Sequence, residues 1–292
     1  MFYIVLTILF SVFLLIVFKL FQKYEVNTFA AIIINYFTAA VTGILFLETE
    51  YNFKDVLHAN WLTICIPLGL LFITIFYLIS QTAQRISIST ASVANKMSVA
   101  MPILFSVIFL NQHLSILKII GVILALVAVY FSTKTIKSEK ASSKLVWLPI
   151  SVFFGSGLID IAINAANAFY ITSPNDSALF SITTFLSAFC FGLIILLFQF
   201  FVTKKQIVQS VFKLKNIIGG IALGIPNYFS IYFIFKSLHS HVLDSAQLFP
   251  ILNLSNVALS AIVAWLLFKE KLSSINIIGI FMAVIAIILI SY

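Results

Sequence analysis

Ten apolar stretches of about 20 residues recur along this chain of 292 residues. A helix needs a stretch of about that length to cross the roughly 30 Å hydrocarbon core of a bilayer. The stretches fill most of the chain, so no room remains for a separate water-soluble domain. Charged residues make up 9% of the sequence, against about a quarter in an ordinary soluble domain. This pattern excludes a soluble enzyme and predicts an integral membrane protein.

Each apolar stretch is predicted to be an α-helix, because a helix satisfies its own backbone hydrogen bonds in lipid. A membrane β-barrel would instead show segments of about ten residues with alternating polarity. The predicted spans are 2–18, 29–47, 61–81, 88–110, 116–132, 146–169, 178–201, 217–237, 243–268 and 274–291. The predicted fold class is an all-α integral membrane protein with ten transmembrane helices.

Basic residues are distributed unequally between the connections on the two sides of the membrane. One side holds thirteen Lys and Arg residues and the other holds three, namely Lys54, Lys118 and Lys236. By the positive-inside rule the richer side is cytoplasmic, which places both termini outside. This orientation accounts for the net charge of +8, because a nucleic-acid binder would gather its basic residues on one face. Membrane lipids are therefore expected as partners, and nucleic acid is not.

The two halves of the chain match each other at a constant offset of 158 residues. Residues 110–129 read LNQHLSILKIIGVILALVAV, and residues 268–287 read FKEKLSSINIIGIFMAVIAI. Each copy contains five spans, and an odd number inserts the two copies with opposite orientation, as in many secondary transporters. The predicted domains are a five-helix repeat at 1–132, a basic cytoplasmic linker at 133–145 and a second five-helix repeat at 146–292.

The chain resembles the drug/metabolite transporter superfamily, in particular its bacterial ten-helix members built from two EamA-type domains. The resemblance rests on the five-plus-five layout, the chain length and a short Gly-Glu-x-Leu turn between the last two helices of each half. The second half reads Lys269-Glu270-Lys271-Leu272 and the first reads Asn111-Gln112-His113-Leu114. The resemblance implies a transporter of the cytoplasmic (inner) membrane with a cavity lined by spans 1, 3, 4, 6, 8 and 9. It does not fix the substrate.

Two charged side chains fall deep inside predicted spans, Lys96 in the fourth and Asp160 in the sixth. Each costs about 2.5–3.5 kcal/mol at a helix centre, which indicates a use. At a rise of 1.5 Å per residue, Lys96 lies about 12 Å and Asp160 about 20 Å from the cytoplasmic boundary. The long side chain of Lys96 could span much of this difference in depth. The pair either binds a substrate or ion, or Lys96 is a counter-ion that only neutralises Asp160.

Asn164 and Asn167 follow Asp160 at i+4 and i+7, so the three residues form a polar stripe on one helix face. The stripe either lines a cavity or makes a hydrogen-bonded seam between helices, at about 0.6 kcal/mol per contact. The sequence Gly220-x-x-x-Gly224 predicts close helix packing. Further candidates for lining the cavity, on three other spans, are Tyr77, Asn227, Tyr228 and Asn253.

Together these features predict a secondary-active transporter that moves a small polar or amphiphilic metabolite by alternating access. An amino acid-like substrate is favoured, because Lys96 and Asp160 together suit a zwitterion, and Asp160 is also the candidate for a coupling proton. The alternatives are an integral-membrane lipid-modifying enzyme, a flippase or a structural partner of another membrane protein. No P-loop or nucleophile with a recognisable base is found in the sequence, and no cofactor or metal site is predicted. The sequence leaves the oligomeric state open.

Overall fold

In this computed structural model the described residues are 2–47, 53–102, 115–132, 145–171, 173–203, 213–239, 245–270 and 273–291. They form eleven helices. These are α1 (Phe2–Lys23), α2 (Thr28–Leu45), α3 (Phe53–His58), α4 (Leu62–Arg85), α5 (Ile88–Met97), α6 (Ile116–Ser132), α7 (Trp147–Phe169), α8 (Pro174–Thr203), α9 (Leu214–His239), α10 (Ser245–Phe268) and α11 (Ser274–Ser291).

Every predicted span overlaps one of these helices, and the additional helix, α3, is a six-residue segment between the second and third spans. Within the described ranges, seven helices are both long enough and apolar enough to cross a membrane: α1, α2, α4, α7, α8, α9 and α10. Helices α6 and α11 contain shorter apolar segments, Ile116–Phe131 and Ser274–Ile290, and α5 ends at Met97. The all-helical architecture is thus confirmed, whereas ten membrane crossings stay a prediction.

Polar side chains placed just before the apolar stretches fix several helix starts. Ser87 precedes α5 in an extended conformation, and its Oγ accepts the N–H of Thr90 at 2.9 Å. At the start of α8, Ser173 and Asp176 cap each other's backbone N–H groups at 3.1 Å. These contacts satisfy N–H groups that have no partner inside the helix.

The chain forms two compact units, and each unit draws on both halves of the sequence. The first unit comprises Met1–Lys19, Leu78–Ile161 and Phe229–Tyr292. The second unit comprises Leu20–Tyr77 and Ala162–Tyr228. Consequently the first unit contains α5, α6, α10 and α11 whole, and the second contains α2, α3 and α8 whole.

Helices α6 and α11 pack along each other within the first unit. Asn276, near the start of α11, donates from Nδ2 to the carbonyl of Phe131, at the end of α6, over 3.4 Å. Gly121, near the start of α6, lies against Ile290, where an added Cβ would stand 2.9 Å from Ile290 Cγ1. The two helices therefore run antiparallel.

Two serines matched by the 158-residue offset cap these two helices in the same way. The Oγ of Ser115 accepts the N–H of Lys118 at 3.4 Å, and the Oγ of Ser273 accepts the N–H of Asn276 at 3.1 Å. Lys118 and Asn276 are themselves 158 residues apart. The repeat in the sequence thus corresponds to the same local structure at two helix starts.

In the second unit, glycines of α9 allow close approach to α2. A Cβ at Gly220 would come within 2.8 Å of the Ala31 carbonyl oxygen, and one at Gly224 within 2.7 Å of the Asn35 carbonyl oxygen. Any larger residue at either position would push the two helices apart. Gly220-x-x-x-Gly224 is therefore a packing motif, as its spacing predicts.

Candidate functional site

The helix of the predicted fourth span is interrupted in its middle: α5 ends at Met97, Ser98 and Val99 form a turn, and helical structure resumes at Ala100. This interruption is called the break in α5. The cause lies in Pro102, which has no N–H to offer the Ser98 carbonyl four residues earlier and whose ring clashes with that carbonyl. The Ser98 carbonyl instead accepts the N–H of Met101, at 2.8 Å. Irregular backbone at membrane depth is tolerated where it is buried in protein or lines a water-filled cavity.

Asp160 of α7 lies directly against this break. The Oγ of Ser98 is 2.8 Å from Asp160 Oδ2, to which it can donate, and 2.6 Å from the carbonyl oxygen of Asn95. Gly157, one turn before Asp160, allows the approach. A Cβ there would stand 3.5 Å from the Ser98 carbonyl oxygen and would collide with the side chain of Met101.

Lys96 stands two residues before Ser98, near enough to Asp160 for each charge to act on the other. The two do not form an ion pair. In the part of the chain that the structure describes, the pairs with nitrogen and oxygen within 4.0 Å are Lys19–Glu270 and Lys215–Glu25. Both Lys96 and Asp160 are partly exposed. The structure therefore brings the two predicted charges together without closing them on each other.

Three further site candidates lie on α10 and α7. Asn253 lies on α10 with a partly exposed side chain. Asn164 belongs to the second unit and is exposed. Asn167 lies on α7, but its side chain falls outside the described part of the structure. Whether this stripe lines a cavity stays a prediction.

The other three candidates belong to the second unit. Asn227 is buried and donates from Nδ2 to Asn35 Oδ1 at 3.2 Å, joining α9 to α2. Tyr228 is buried beside the ring of Phe46. Tyr77 is partly exposed and meets the ring of Phe29 edge-on. Asn227 and Tyr228 thus have clear packing roles, and their predicted contact with a substrate stays a prediction.

Ser98 and Gly157 are the residues of the site that sequence reasoning missed. A serine and a glycine inside apolar spans are common packing residues, and neither stands out by composition. The useful signal was Pro102, since a proline four residues after Ser98 marks the carbonyl that must lose its helical hydrogen bond. The same reasoning could have placed a break beside Lys96.

A second pair of opposite charges lies at the ends of helices in the first unit. The Nζ of Lys19 is 2.8 Å from Glu270 Oε1, and it donates to the carbonyl of Ala83 in the last turn of α4 at 3.0 Å. The Glu270 carboxylate lies near the backbone N–H of Ile88, the first residue of α5. Both side chains are largely buried, 17% and 12% exposed. The pair therefore holds the junction between α4 and α5 against the end of α10.

Glu270 is the acidic residue of the predicted Gly-Glu-x-Leu turn. Burial raises the pKa of its carboxyl above the usual value, although Lys19 and the Ile88 N–H act in the opposite direction. Lys269, at the position of the motif's glycine, has a φ of 49°. This is the left-handed region that glycine occupies without strain, which explains why the motif has a glycine there.

The comparisons with known proteins cover almost the whole chain. A family model described as the EamA-like transporter family matches residues 1–134 and 146–292. A protein of Haemophilus influenzae, described only as uncharacterized, is 29% identical over 291 residues, which cover 98% of this chain and 96% of that relative. The two segments matched by the family model leave out only residues 135–145.

Proposed function

This chain belongs to the EamA-like transporter family, and from that premise we propose that it is a secondary-active transporter of a small polar or amphiphilic metabolite. The family consists of transporters, and the apolar helices make the chain an integral membrane protein. The proposal adds alternating access as the mechanism, an amino acid-like molecule as the favoured substrate and the cytoplasmic (inner) membrane as the location.

The observation that carries the proposal is the open pair of Lys96 and Asp160. An uncompensated charge at membrane depth is costly, so a pair that served stability alone would close into contact. Here each charge acts on the other, yet no ion pair forms between them. A zwitterion can satisfy both groups, with its carboxylate at Lys96 and its ammonium at Asp160.

The break in α5 supports the same assignment. Transporters commonly bind substrates and coupling ions where a membrane helix is discontinuous, because the interrupted backbone presents polar groups near the middle of the bilayer. The break at Ser98 lies between Lys96 and the proline that causes it. Lys96 and the interrupted backbone thus lie in one helical segment, and Asp160 of α7 lies against it.

The antiparallel pairing of α6 and α11 supports the inverted repeat. These helices are the fifth of each predicted half, they begin with matched serine caps, and they run in opposite directions. Two halves of opposite orientation can exchange conformations and so open a central site to each side in turn. We therefore propose domains at 1–132 and 146–292, ten membrane crossings and a cytoplasmic linker at 133–145.

A ligand screen followed by transport tests this function. Amino acids and other small polar metabolites are added singly to the purified full chain, and a ligand that binds the folded state raises its apparent melting temperature. Counterflow of the labelled ligand is then measured in proteoliposomes that contain only this chain. Exchange above that of protein-free liposomes supports a carrier. Conversion of the ligand, flipping of labelled lipid without exchange, or no exchange of any stabilising ligand would contradict it.

A further inference from the structure

We propose that Asp160 binds the coupling proton and that the hydroxyl of Ser98 allows this carboxyl to gain and lose the proton without losing its hydrogen bond. The inference rests on the proposed transport function, and it names the coupling ion of that same site. Ser98 acts through Asp160 and is a positioning residue.

Two acceptors compete for the single hydrogen of Ser98. A hydroxyl has one hydrogen to donate and two lone pairs to accept with, and the Oγ lies 2.8 Å from Asp160 Oδ2 and 2.6 Å from the Asn95 carbonyl oxygen. Only one of these oxygens can receive the hydrogen at a time. The other oxygen must then accept a hydrogen from another donor, itself carry a hydrogen, or remain without this hydrogen bond.

The protonation state of Asp160 decides between the two arrangements. When the carboxylate is ionised, Ser98 donates to Oδ2 and stabilises the charge. When a proton arrives from water and forms the O–H bond of a neutral carboxyl, that O–H donates to the Oγ, and the hydroxyl hydrogen rotates to the Asn95 carbonyl. No covalent bond of Ser98 breaks, and Oδ2 keeps a partner in both states.

A proton fits this site better than a metal cation. Of the charged groups in the described ranges, Lys96, on the facing helix α5, is the one that acts on Asp160. Its positive charge opposes the binding of any cation to the carboxylate, a proton included. A proton needs only one acceptor oxygen, whereas a hard metal cation needs several oxygen ligands, and among the described residues no group of three or more His, Cys, Asp or Glu side chains lies here to supply them.

Two backbone features build this arrangement. Pro102 interrupts α5, so Ser98 lies in a turn rather than in regular helix. Gly157 lets α7 come close enough for Asp160 to reach that turn, because a Cβ at this position would collide with Met101. Both features are independent of the charges themselves, so the hydroxyl contact is held in place by the fold.

Infrared difference spectroscopy of the full chain in lipid tests proton binding without a substrate. The C=O stretching band of a protonated carboxylic acid is followed as the pH is raised. We expect a band that disappears with rising pH in the wild type, is absent in Asp160→Asn and is displaced in frequency in Asp160→Glu. An unchanged band in both variants would overturn the proposal.

The role of Ser98 is tested by the same titration. Ser98→Ala is expected to raise the proton affinity about tenfold, since the ionised carboxylate loses a charge-assisted donor worth more than a neutral one. Ser98→Thr keeps the hydroxyl and is expected to restore the wild-type titration. Ser92→Ala is the matched control, because Ser92 lies on the same helix and bonds to the Asn256 carbonyl instead. Equal titrations in Ser98→Ala and the wild type would overturn the positioning role.

Two further measurements separate this inference from its alternatives. If sodium chloride in place of choline chloride removes the wild-type band at fixed pH, Asp160 is a metal-cation site and the proton assignment is overturned. If Asp160 titrates but no counterflow is found, the proton site is supported and the transport function is contradicted. If counterflow is found but Asp160 does not titrate, the transport function is supported and the proton site is contradicted.

Discussion

The first unit contains two pairs of opposite charge that are built in contrasting ways. Lys19 and Glu270 are in contact at 2.8 Å, and Lys19 also donates to the carbonyl of Ala83 in the last turn of α4. Lys96 and Asp160 interact through space without forming an ion pair, and Asp160 is hydrogen-bonded to Ser98 instead. The first pair is closed on itself, whereas the second is not. We base on this difference the proposal that the first pair serves stability and the second binds substrate.

Helix ends explain why the first pair can close. A positive charge is favoured at a helix C-terminus and a negative charge at a helix N-terminus. The ammonium group of Lys19 lies at the end of α4 and the carboxylate of Glu270 lies near the start of α5, so both helix dipoles favour the pair. Asp160 lies within α7, and its partner near the break in α5 is a serine hydroxyl.

Breaking the closed pair should give the largest change in stability. Lys19→Met leaves the Glu270 carboxylate buried without its cation, and removal of one partner of a buried pair costs about 3–5 kcal/mol. We expect about 3 kcal/mol, because the carboxyl can take up a proton. Unfolding in mixed detergent and sodium dodecyl sulfate measures the change.

Lys215→Met is the matched control for that experiment. It removes the exposed pair of Lys215 and Glu25, whose nitrogen and oxygen are 3.7 Å apart with side chains 42% and 88% exposed. Such surface pairs contribute about 0–1 kcal/mol. Equal losses in the two variants would remove the distinction between a buried structural pair and a surface pair.

Removing the open pair should affect stability much less. Lys96→Met and Asp160→Asn break no ion pair in the described structure, and each removes a charge that was costly at membrane depth. We expect the free energy of unfolding to change by about 1 kcal/mol or less, measured in the same detergent series. A loss as large as that of Lys19→Met would make this pair a structural one too.

Lys269→Gly should stabilise the turn that presents Glu270. Lys269 has a φ of 49°, and a left-handed conformation costs a residue with a side chain about 1–2 kcal/mol that glycine avoids. Part of this gain is lost because glycine makes the unfolded chain more flexible. We expect a net gain of about 0.5–1 kcal/mol in the same unfolding assay, and a loss would contradict the strain at this position.

The smallest predicted effect is a pH dependence that comes from Glu270. Its pKa is raised by burial, so the folded chain binds the proton more tightly than the unfolded chain does. Stability should therefore fall as the pH rises from about 4, the usual value for glutamate, through the raised pKa. Glu270→Gln should flatten this slope. If the stability of the wild type instead rises over this pH window relative to Glu270→Gln, then Lys19 lowers the pKa of Glu270 by more than burial raises it.

The sequence predicted the helices better than it predicted their contacts. Apolar length is set by the bilayer, so the positions of the spans followed from the chain alone. The break at Ser98 did not, because the apolar run continues through it and only Pro102 marks it. The predicted depths of Lys96 and Asp160 assume unbroken helices. In the structure the helix containing Lys96 is broken, and Ser98 rather than Lys96 contacts Asp160.

Residue spacing in the sequence does not predict which side chains of different helices contact each other. Asn227 was recognised as a polar residue in an apolar span, but its pairing with Asn35 depends on how α9 packs on α2. The glycines that allow this packing are visible in the sequence, although which helix they approach is not. Similarly, the motif residue Glu270 was singled out, but its contact with Lys19 joins distant parts of the chain.

Counterflow in proteoliposomes tests most directly whether the open pair is the transport site. The rate of exchange of a ligand found by thermal stabilisation is compared in the wild type, Lys96→Met, Asp160→Asn and Lys215→Met. The account predicts wild-type rates in Lys215→Met and a loss of at least about tenfold in the other two variants, equivalent to about 1.4 kcal/mol. Exchange at the wild-type rate in both Lys96→Met and Asp160→Asn would contradict it.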